Sequence, residues 1–229
     1  MQWPASTFAS ELFPSLKSSS SLPLLPENEP VWKILDSDSQ NSLKSQLDSL
    51  LERSAIESRD NIENCTIDES QGKVFISKTA KIEPGAHFVG PCYVGDNAEI
   101  RHSAYVRAYS WICDSAVVGH CTEVKHSILL PGAKAPHFNY VGDSILGGGV
   151  NLGAGTKLSN LRNDGKEVHV RINNERIGSG LRKFGAILGE GCQLGCNSVT
   201  NPGVILGCNS AVFPNSTVTG IHEAESTHS

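Results

Sequence analysis

The sequence predicts an all-β solenoid, a parallel β-helix, on three observations. An aliphatic or aromatic residue returns every sixth position from Ile76 through Ile82, Phe88, Val94, Ile100, Val106, Ile112, Val118 and Val124 to Leu130. The residue four places after each is usually small or thin, as at Ala80, Ala86, Cys92, Ala98, Ala104, Ser110, Ala116 and Thr122. The period then returns at Tyr140, Leu146, Leu152 and Leu158, and again from Leu188 through Leu194, Thr200, Leu206 and Val212 to Val218. Each hexad therefore gives one bulky and one slim side chain to a common interior, and three hexads make one triangular coil.

In chain order, residues 1–73 read as an N-terminal extension. Ser18 to Ser21 with Pro23 and Pro26 mark a flexible part, and Leu43, Leu47, Leu50 and Leu51 mark one amphipathic helix over residues 42–55. The helix is expected either to cap the open end of the solenoid, whose strand edges need covering, or to bind a partner. Residues 74–220 hold the repeats, with excursions near 131–139 and 159–187, where binding loops gather in repeat proteins. Residues 221–229 are expected to be a disordered tail.

Composition narrows the function. The 229 residues carry a net charge of −5 with scattered Lys and Arg, which argues against a nucleic-acid partner. Seven cysteines without Cys-x-x-Cys spacing fit a reduced, intracellular protein, with Cys92 and Cys192 packing as small apolar groups. No apolar run is long enough for a membrane span, and Met1-Gln2-Trp3-Pro4 does not start like a secretion signal, so a cytoplasmic location is expected. A small-molecule substrate fits best, and an anionic one needs local cations.

Several residues carry chemistry. His137 lies in a segment bounded by Pro131, Gly132 and Pro136, with Asn139 and Tyr140 beside it; it reads as a general base or as a solvated loop histidine. Glu123 and Lys125 flank core residue Val124 and so share the opposite face of one strand. Arg107 precedes Lys125 by 18 residues, which stacks the two cations one coil apart. They are either anion ligands or solvated charges. The glycine-rich stretch from Gly147 to Thr156 lacks the Lys-Ser/Thr ending and following helix of a phosphate-binding loop, but it offers backbone N–H groups such as that of Ala154. His102, His120 and His126 occupy turns; their spacing resembles the interfacial zinc sites of γ-class carbonic anhydrases without matching it, and no metal is expected.

Together, Glu123-Val-Lys125, Pro136-His137-Phe-Asn-Tyr140-Val-Gly-Asp143, Val150-Asn151-Leu-Gly-Ala154-Gly-Thr156 and Asn160 resemble one family. They look like the C-terminal left-handed β-helix domain of the bifunctional glucosamine-1-phosphate acetyltransferase/N-acetylglucosamine-1-phosphate uridylyltransferases. The chain is also similar to short hexapeptide-repeat, sugar-phosphate nucleotidylyltransferase-like proteins. The resemblance implies a left-handed parallel β-helix, a homotrimer with sites between subunits, acetyl-CoA as co-substrate, and N-acetylation of an amino-sugar 1-phosphate on the way to UDP-N-acetylglucosamine. It makes His137 the general base and Glu123 the group that polarises it. Arg107, Lys125, Tyr140, Asn151 and Lys166 match sugar-phosphate positions, while Ala154 and Asn160 match positions on the acyl-donor side.

Departures from the family bear on both halves of its chemistry. The first 73 residues are too few for the nucleotidylyltransferase domain, so uridylyl transfer is not expected from this chain alone and a separate nucleotidylyltransferase is a possible partner. On the donor side, Cys196 replaces a small hydroxyl residue, Phe213-Pro214 replace two alanines, Leu161 replaces a tyrosine, and Glu167 to Gly185 insert a segment with Arg171, Arg176, Arg182 and Lys183. A non-catalytic, sugar-nucleotide-binding scaffold is the alternative these changes leave open.

Overall fold

The computed structural model describes residues 3–54, 62–172 and 175–229. Three eight-stranded parallel sheets wind into a left-handed β-helix, and a two-stranded antiparallel hairpin projects from it. The first sheet starts at Thr66–Asp68 and contains Glu123–Lys125 and Tyr140–Gly142; the second starts at Val74–Ile76; the third starts at Lys81–Ile82 and contains Lys134–His137 and Asn151–Leu152. One continuous core fills the prism, with Ile76, Phe88, Val94, Ile100, Val106, Ile112 and Val118 alternating with Ala80, Ala86, Cys92, Ala98, Ala104 and Ala116. Asn97, Asn197, Asn209 and Asn215 take positive φ at the corners, a conformation asparagine tolerates better than most residues.

The expected excursion at 131–139 is absent. Lys134–His137 pairs in register with Val117–His120 below, and Lys134 with Asn151 above. What changes is the corner from the first to the second sheet, in two successive coils: Val124 is followed in the core by Leu129 rather than Leu130, and Val141 rather than Tyr140 occupies the next first-sheet position and is followed by Leu146. A step of five residues shortens the turn and shifts the inward residue by one, because side chains alternate along a strand. Leu130 therefore turns outward to a second cluster, and Tyr140 is half-exposed on the first-sheet face.

The second excursion is real but is not a loose polar loop. Between Lys157–Leu158 and Ala186–Leu188, strands His169–Ile172 and Glu175–Gly178 pair as an antiparallel hairpin. Val170 of the hairpin and Val168, Leu181 and Phe184 beside it are buried.

The N-terminal extension covers a side of the prism instead of its end. A short helix α1 (Ala9–Leu12), a 3-10 turn (Val31–Leu35) and helix α2 (Leu43–Ser54) pack on the outward residues Phe75, Tyr93, Trp111, Ile128, Ile145, Ile187 and Ile205 of the second sheet. Ser42 caps α2, its hydroxyl accepting from the Ser45 N–H at 3.2 Å, and Leu43, Leu47, Leu50 and Leu51 are buried as expected. Ala55, the last residue of the expected helix, lies outside the described residues. A sheet apolar on both faces must be covered on both, and the extension is the cover. The expected flexible part is tied down: the Trp111 indole donates to the Ser21 carbonyl at 3.0 Å, and Gln46 Oε1 accepts from the Leu24 N–H at 2.8 Å. Trp32 stacks on Phe184, 5.7 Å between ring centroids, and donates to the Ser179 carbonyl, joining extension to hairpin.

Residues 221–229 are not a disordered tail. Ile221–His222 and Thr227–His228 continue the second and third sheets, pairing with Val204–Leu206 and Ala211–Val212. Backbone pairing there outweighs the polar side chains on which the expectation rested.

Candidate functional site

The outer face of the first sheet concentrates polar chemistry because consecutive coils stack in register. His87, Tyr105, Glu123, Tyr140 and Lys157 form one row, each the strand partner of the next. Two positions on, the Arg107 N–H bonds to the Val124 carbonyl and Lys125 pairs with Gly142, so Arg107 and Lys125 do stand one coil apart. Their repulsion is relieved by separate carboxylates. Arg107 Nη1 meets Glu123 Oε1 at 2.7 Å, and Lys125 Nζ meets Asp143 Oδ2 at 3.3 Å. Glu123 raises the Arg107 guanidinium pKa further, chiefly through that hydrogen bond.

Asp143 is the hub of this face. It is buried at a positive φ of 49°, and its carboxylate also accepts from His126 Nδ1 at 2.9 Å and from the Asn160 amide. Burial alone raises a carboxyl pKa, but the hydrogen bond and charge of His126, the charge of Lys125 and the Asn160 amide outweigh it and hold Asp143 below its ordinary value. The Tyr140 hydroxyl and Asn160 amide lie over Gly142, where a Cβ would meet them at 2.6 and 2.7 Å, so any larger residue would displace the ends of both side chains. Burial, then the neighbouring carboxylates, push the Tyr140 phenol up. Asn160, expected on the acyl-donor side, thus sits with Tyr140 and Asp143.

His137 stands at the corner where the third sheet turns into the first. Its backbone is fixed: its N–H donates to Asn139 Oδ1 and its carbonyl accepts from the Gly155 N–H, both at 3.0 Å, while the buried Asn139 amide bonds the Gly153 carbonyl at 2.7 Å. The ring itself is exposed, and the Glu123 carboxylate is engaged by Arg107. A ladder of backbone bonds runs along this corner: Cys121 to His102, Phe138 to His120, Gly155 to His137, Asn197 to Ala154 and Asn215 to Cys196, each N–H to carbonyl. His102, His120, His137, Ala154, Cys196 and Pro214 therefore follow one another coil by coil, with the His102 and His120 rings stacked at 5.6 Å.

Two expected site residues lie elsewhere, and one turn histidine plays another part. Asn151 is on the third sheet, a different face from Arg107 and Lys125. Lys166 is exposed on the loop before the hairpin, its N–H on Asp164 Oδ1. His126 is not equivalent to His102 and His120: its N–H bonds the Ala108 carbonyl, which places it beside Tyr109 at the corner between the first and second sheets. Among the described residues no group of three or more His, Cys, Asp or Glu is arranged to hold a metal ion.

Sequence reasoning missed the His126–Asp143 pair. Its signal was two short steps one coil apart, Val124 to Leu129 around His126 and Val141 to Leu146 around Asp143, both residues taking left-handed conformations.

A family model described as the GMPPB C-terminal domain matches residues 88–177. Among curated proteins, the bifunctional sugar-1-phosphate nucleotidylyltransferase/acetyltransferase of Sulfurisphaera tokodaii is 37% identical over 148 residues, covering 65% of this chain and 37% of that protein. The bifunctional protein GlmU of Methanococcus aeolicus is 35% identical over 134 residues, 58% of this chain and 32% of that one. The chain spans about a third of the length of these relatives. Among solved structures, the acetyltransferase domain of PglB from Neisseria gonorrhoeae, in complex with acetyl coenzyme A, aligns with a TM-score of 0.31 and 12% identity over 93% of this chain and 80% of that one. The chain is a hexapeptide-repeat left-handed β-helix that resembles the C-terminal acetyltransferase domain of the bifunctional sugar-1-phosphate nucleotidylyltransferase/acetyltransferases.

Proposed function

We propose that the chain is an acyl-CoA-dependent N-acetyltransferase acting on an amino-sugar 1-phosphate, glucosamine 1-phosphate, in the formation of UDP-N-acetylglucosamine. The observation that carries this reading is the meeting of two features at one corner. The first-sheet face with Arg107, Glu123, Lys125, Tyr140 and Asn160 adjoins the column in which His137 is followed by Ala154, Cys196 and Pro214. One supplies polar groups for a sugar phosphate, the other a base in line with a track for a thioester.

In this mechanism the neutral sugar amine attacks the thioester carbon. The C–N bond forms, the C–S bond breaks, His137 takes the proton from nitrogen, and the departing thiolate receives a proton. The backbone N–H of Ala154 stabilises the tetrahedral oxyanion. No covalent enzyme intermediate and no metal take part.

The assembly proposed with this reading is a homotrimer. The second sheet is covered by the chain's own extension, which leaves the outer faces of the first and third sheets for subunit contacts. In this reading Asn151, on the third sheet, joins the sugar site from a neighbouring subunit, and a contact between two different faces is compatible with the C3 homotrimer that the resemblance implies. A cytoplasmic location accompanies this reading; no described helix is long and apolar enough to cross a membrane.

The commitment of Glu123 to Arg107 favours a second reading, a sugar-nucleotide-binding scaffold that assists a separate nucleotidylyltransferase without catalysis. A thiol-release assay with acetyl-CoA and glucosamine 1-phosphate separates the two. Release that needs both the sugar and His137 supports the transferase; no release from a folded protein that binds the sugar phosphate supports the scaffold.

A further inference from the structure

The strands His169–Ile172 and Glu175–Gly178 belong to the segment by which this chain departs from the family it resembles, so the resemblance gives them no part in the chemistry. They are held firmly all the same. Val168 and Val170 are buried, the Val168 N–H bonds the Leu181 carbonyl at 2.8 Å, and a Cβ on Gly203 would meet Val168 Cγ1 at 2.9 Å. Side chains projecting from the hairpin therefore stand at fixed places over the coils beside it.

A cavity of about 470 Å³ lies where the hairpin meets the edge of the first sheet. Ser159, Asn201 and Thr219, each the residue after a first-sheet strand, border one side, and His169, Arg171 and Arg176 border the other. Arg171 and Arg176 are direct partners across the antiparallel pair, so two like charges share one face of the hairpin, an arrangement that costs stability. Among the described residues, neither has a carboxylate within ion-pair distance. The acid of the cavity wall, Asp164, is taken up by Arg162, whose Nε and Nη2 donate to its two oxygens at 2.9 and 2.6 Å.

Arg162 also fixes the state of the histidine. Its Nη1 donates to His169 Nδ1 at 2.6 Å; a guanidinium has no acceptor, so Nδ1 supplies the lone pair and the ring proton sits on Nε2. The remaining polar capacity of His169 is thus a donor. Two guanidiniums and an imidazole N–H on one wall suit an anion with several oxygens, and two guanidiniums match the two charges of a phosphate monoester.

Position in the solenoid says which anion. Ala154, Cys196 and Pro214 precede Ser159, Asn201 and Thr219 by five residues each, so the column proposed as the thioester track and this cavity stand at the two edges of one sheet face, in the same three coils. Their separation is no more than about 17 Å at ~3.3 Å per residue, within the reach of a pantetheine arm. Arg107, Lys125 and Tyr140 of the sugar-phosphate face belong to earlier coils. Leu161, 40% exposed, and Pro202 add apolar surface against which a base packs.

We propose that Arg171 and Arg176, with His169, bind the 3′-phosphate of coenzyme A, the monoester at the end of the molecule away from the thiol. The hairpin then selects a coenzyme A thioester over donors that carry the same pantetheine arm without that phosphate. The inference takes the class of donor from the transferase reading, and binding measurements separate the two.

Calorimetric titration of the full chain with coenzyme A and with 3′-dephospho-coenzyme A tests it, with thiol release from acetyl-CoA measured in parallel. Wild type binds coenzyme A about tenfold or more tighter than the dephospho form, and the gap narrows as salt rises. Arg171→Ala with Arg176→Ala lowers the affinity for coenzyme A to that for the dephospho form and leaves the latter unchanged. Lys78→Ala, exposed beyond the strand Val74–Ile76, changes neither. Equal affinity of wild type for the two compounds, binding of neither, or a double variant that keeps the gap overturns the proposal. Thiol release that needs His137 but ignores the 3′-phosphate overturns this site and leaves the transferase; a phosphate-dependent gap in binding without thiol release keeps the site and removes the transferase reading.

Discussion

Replacing Asp143 by Asn is the sharpest test of how the first-sheet face is held together. The carboxylate accepts from Lys125, His126 and Asn160, and only 6% of its side chain is exposed. Oδ2 accepts from both Lys125 and Asn160 and Oδ1 from His126, so an Asn amide oxygen keeps two uncharged bonds with its NH₂ facing His126 Nδ1, or keeps the His126 bond with its NH₂ facing Lys125 and Asn160. A lost charged hydrogen bond is worth about 1.5–3 kcal/mol. In either placement the buried charge is lost and at least one donor loses its acceptor, while Lys125 is partly exposed and regains water, so the expected cost is about 2–3 kcal/mol. For a chain of this size that lowers Tm by roughly 5–10 °C.

The pH dependence carries its own sign. Asp143 has a folded pKa below the ordinary 3.8, so the folded state binds fewer protons than the unfolded one across that interval. Its contribution is fully present above 3.8 and is lost as pH falls through the lower folded value. The destabilisation of Asp143→Asn relative to wild type is therefore constant from neutral pH down to about pH 5 and shrinks below pH 4. Urea unfolding followed by circular dichroism at several pH values reads this difference directly. A cost below about 0.5 kcal/mol at pH 7, or one that grows on acidification, refutes the assignment of Asp143 as a buried charged hub.

Three further outcomes are expected. His137→Ala lowers turnover by about 10²–10⁴-fold with sugar binding and far-UV circular dichroism unchanged, as steady-state kinetics and calorimetry will show. Phe184→Ala removes a fully buried ring stacked on Trp32; unfolding curves should show a cost of about 3–5 kcal/mol, and a red shift of tryptophan emission should report release of the extension. Burial raises the Cys92 thiol well above its ordinary value and pushes Cys192 up to about 12, so native protein treated with an aromatic disulfide reagent is labelled at the exposed Cys121 and Cys196, and peptide mapping finds Cys92 and Cys192 unmodified.

The hexad pattern was legible because each position reports its own environment. Val106, Ile112 and Val118 recur at the spacing that places every one of them inside, and no distant residue can change that without turning the strand over. The same reasoning failed at Leu130 and Tyr140, since a one-residue deletion in a corner leaves the apolar pattern readable in two registers. Leu129 and Leu130 are both apolar and both buried, one in the prism and one beneath the extension. The cover on the second sheet had an unread signal, the large apolar residues Phe75, Tyr93 and Trp111 at 18-residue intervals on the outward side.

The candidate site divides in the same way. Arg107 and Lys125 were placed one coil apart by counting, and the counting held because parallel pairing has a fixed rise. Their partners were not legible, because Glu123 and Asp143 reach them through side-chain geometry that no periodicity encodes.

The sequence by itself determined the solenoid, its three-sided coil and the run of residues facing inward, all consequences of local spacing repeated along the chain. Only the tertiary structure decided that residues 3–54 lie along a flank, that the inserted hairpin docks on them, and that the last nine residues extend two sheets. It alone decided that Ser159, Arg171 and Asn201, apart in the chain, border one cavity. The reason is physical: burial of an outer apolar face is satisfied by any segment long and apolar enough to cover it, so local sequence does not choose which one does.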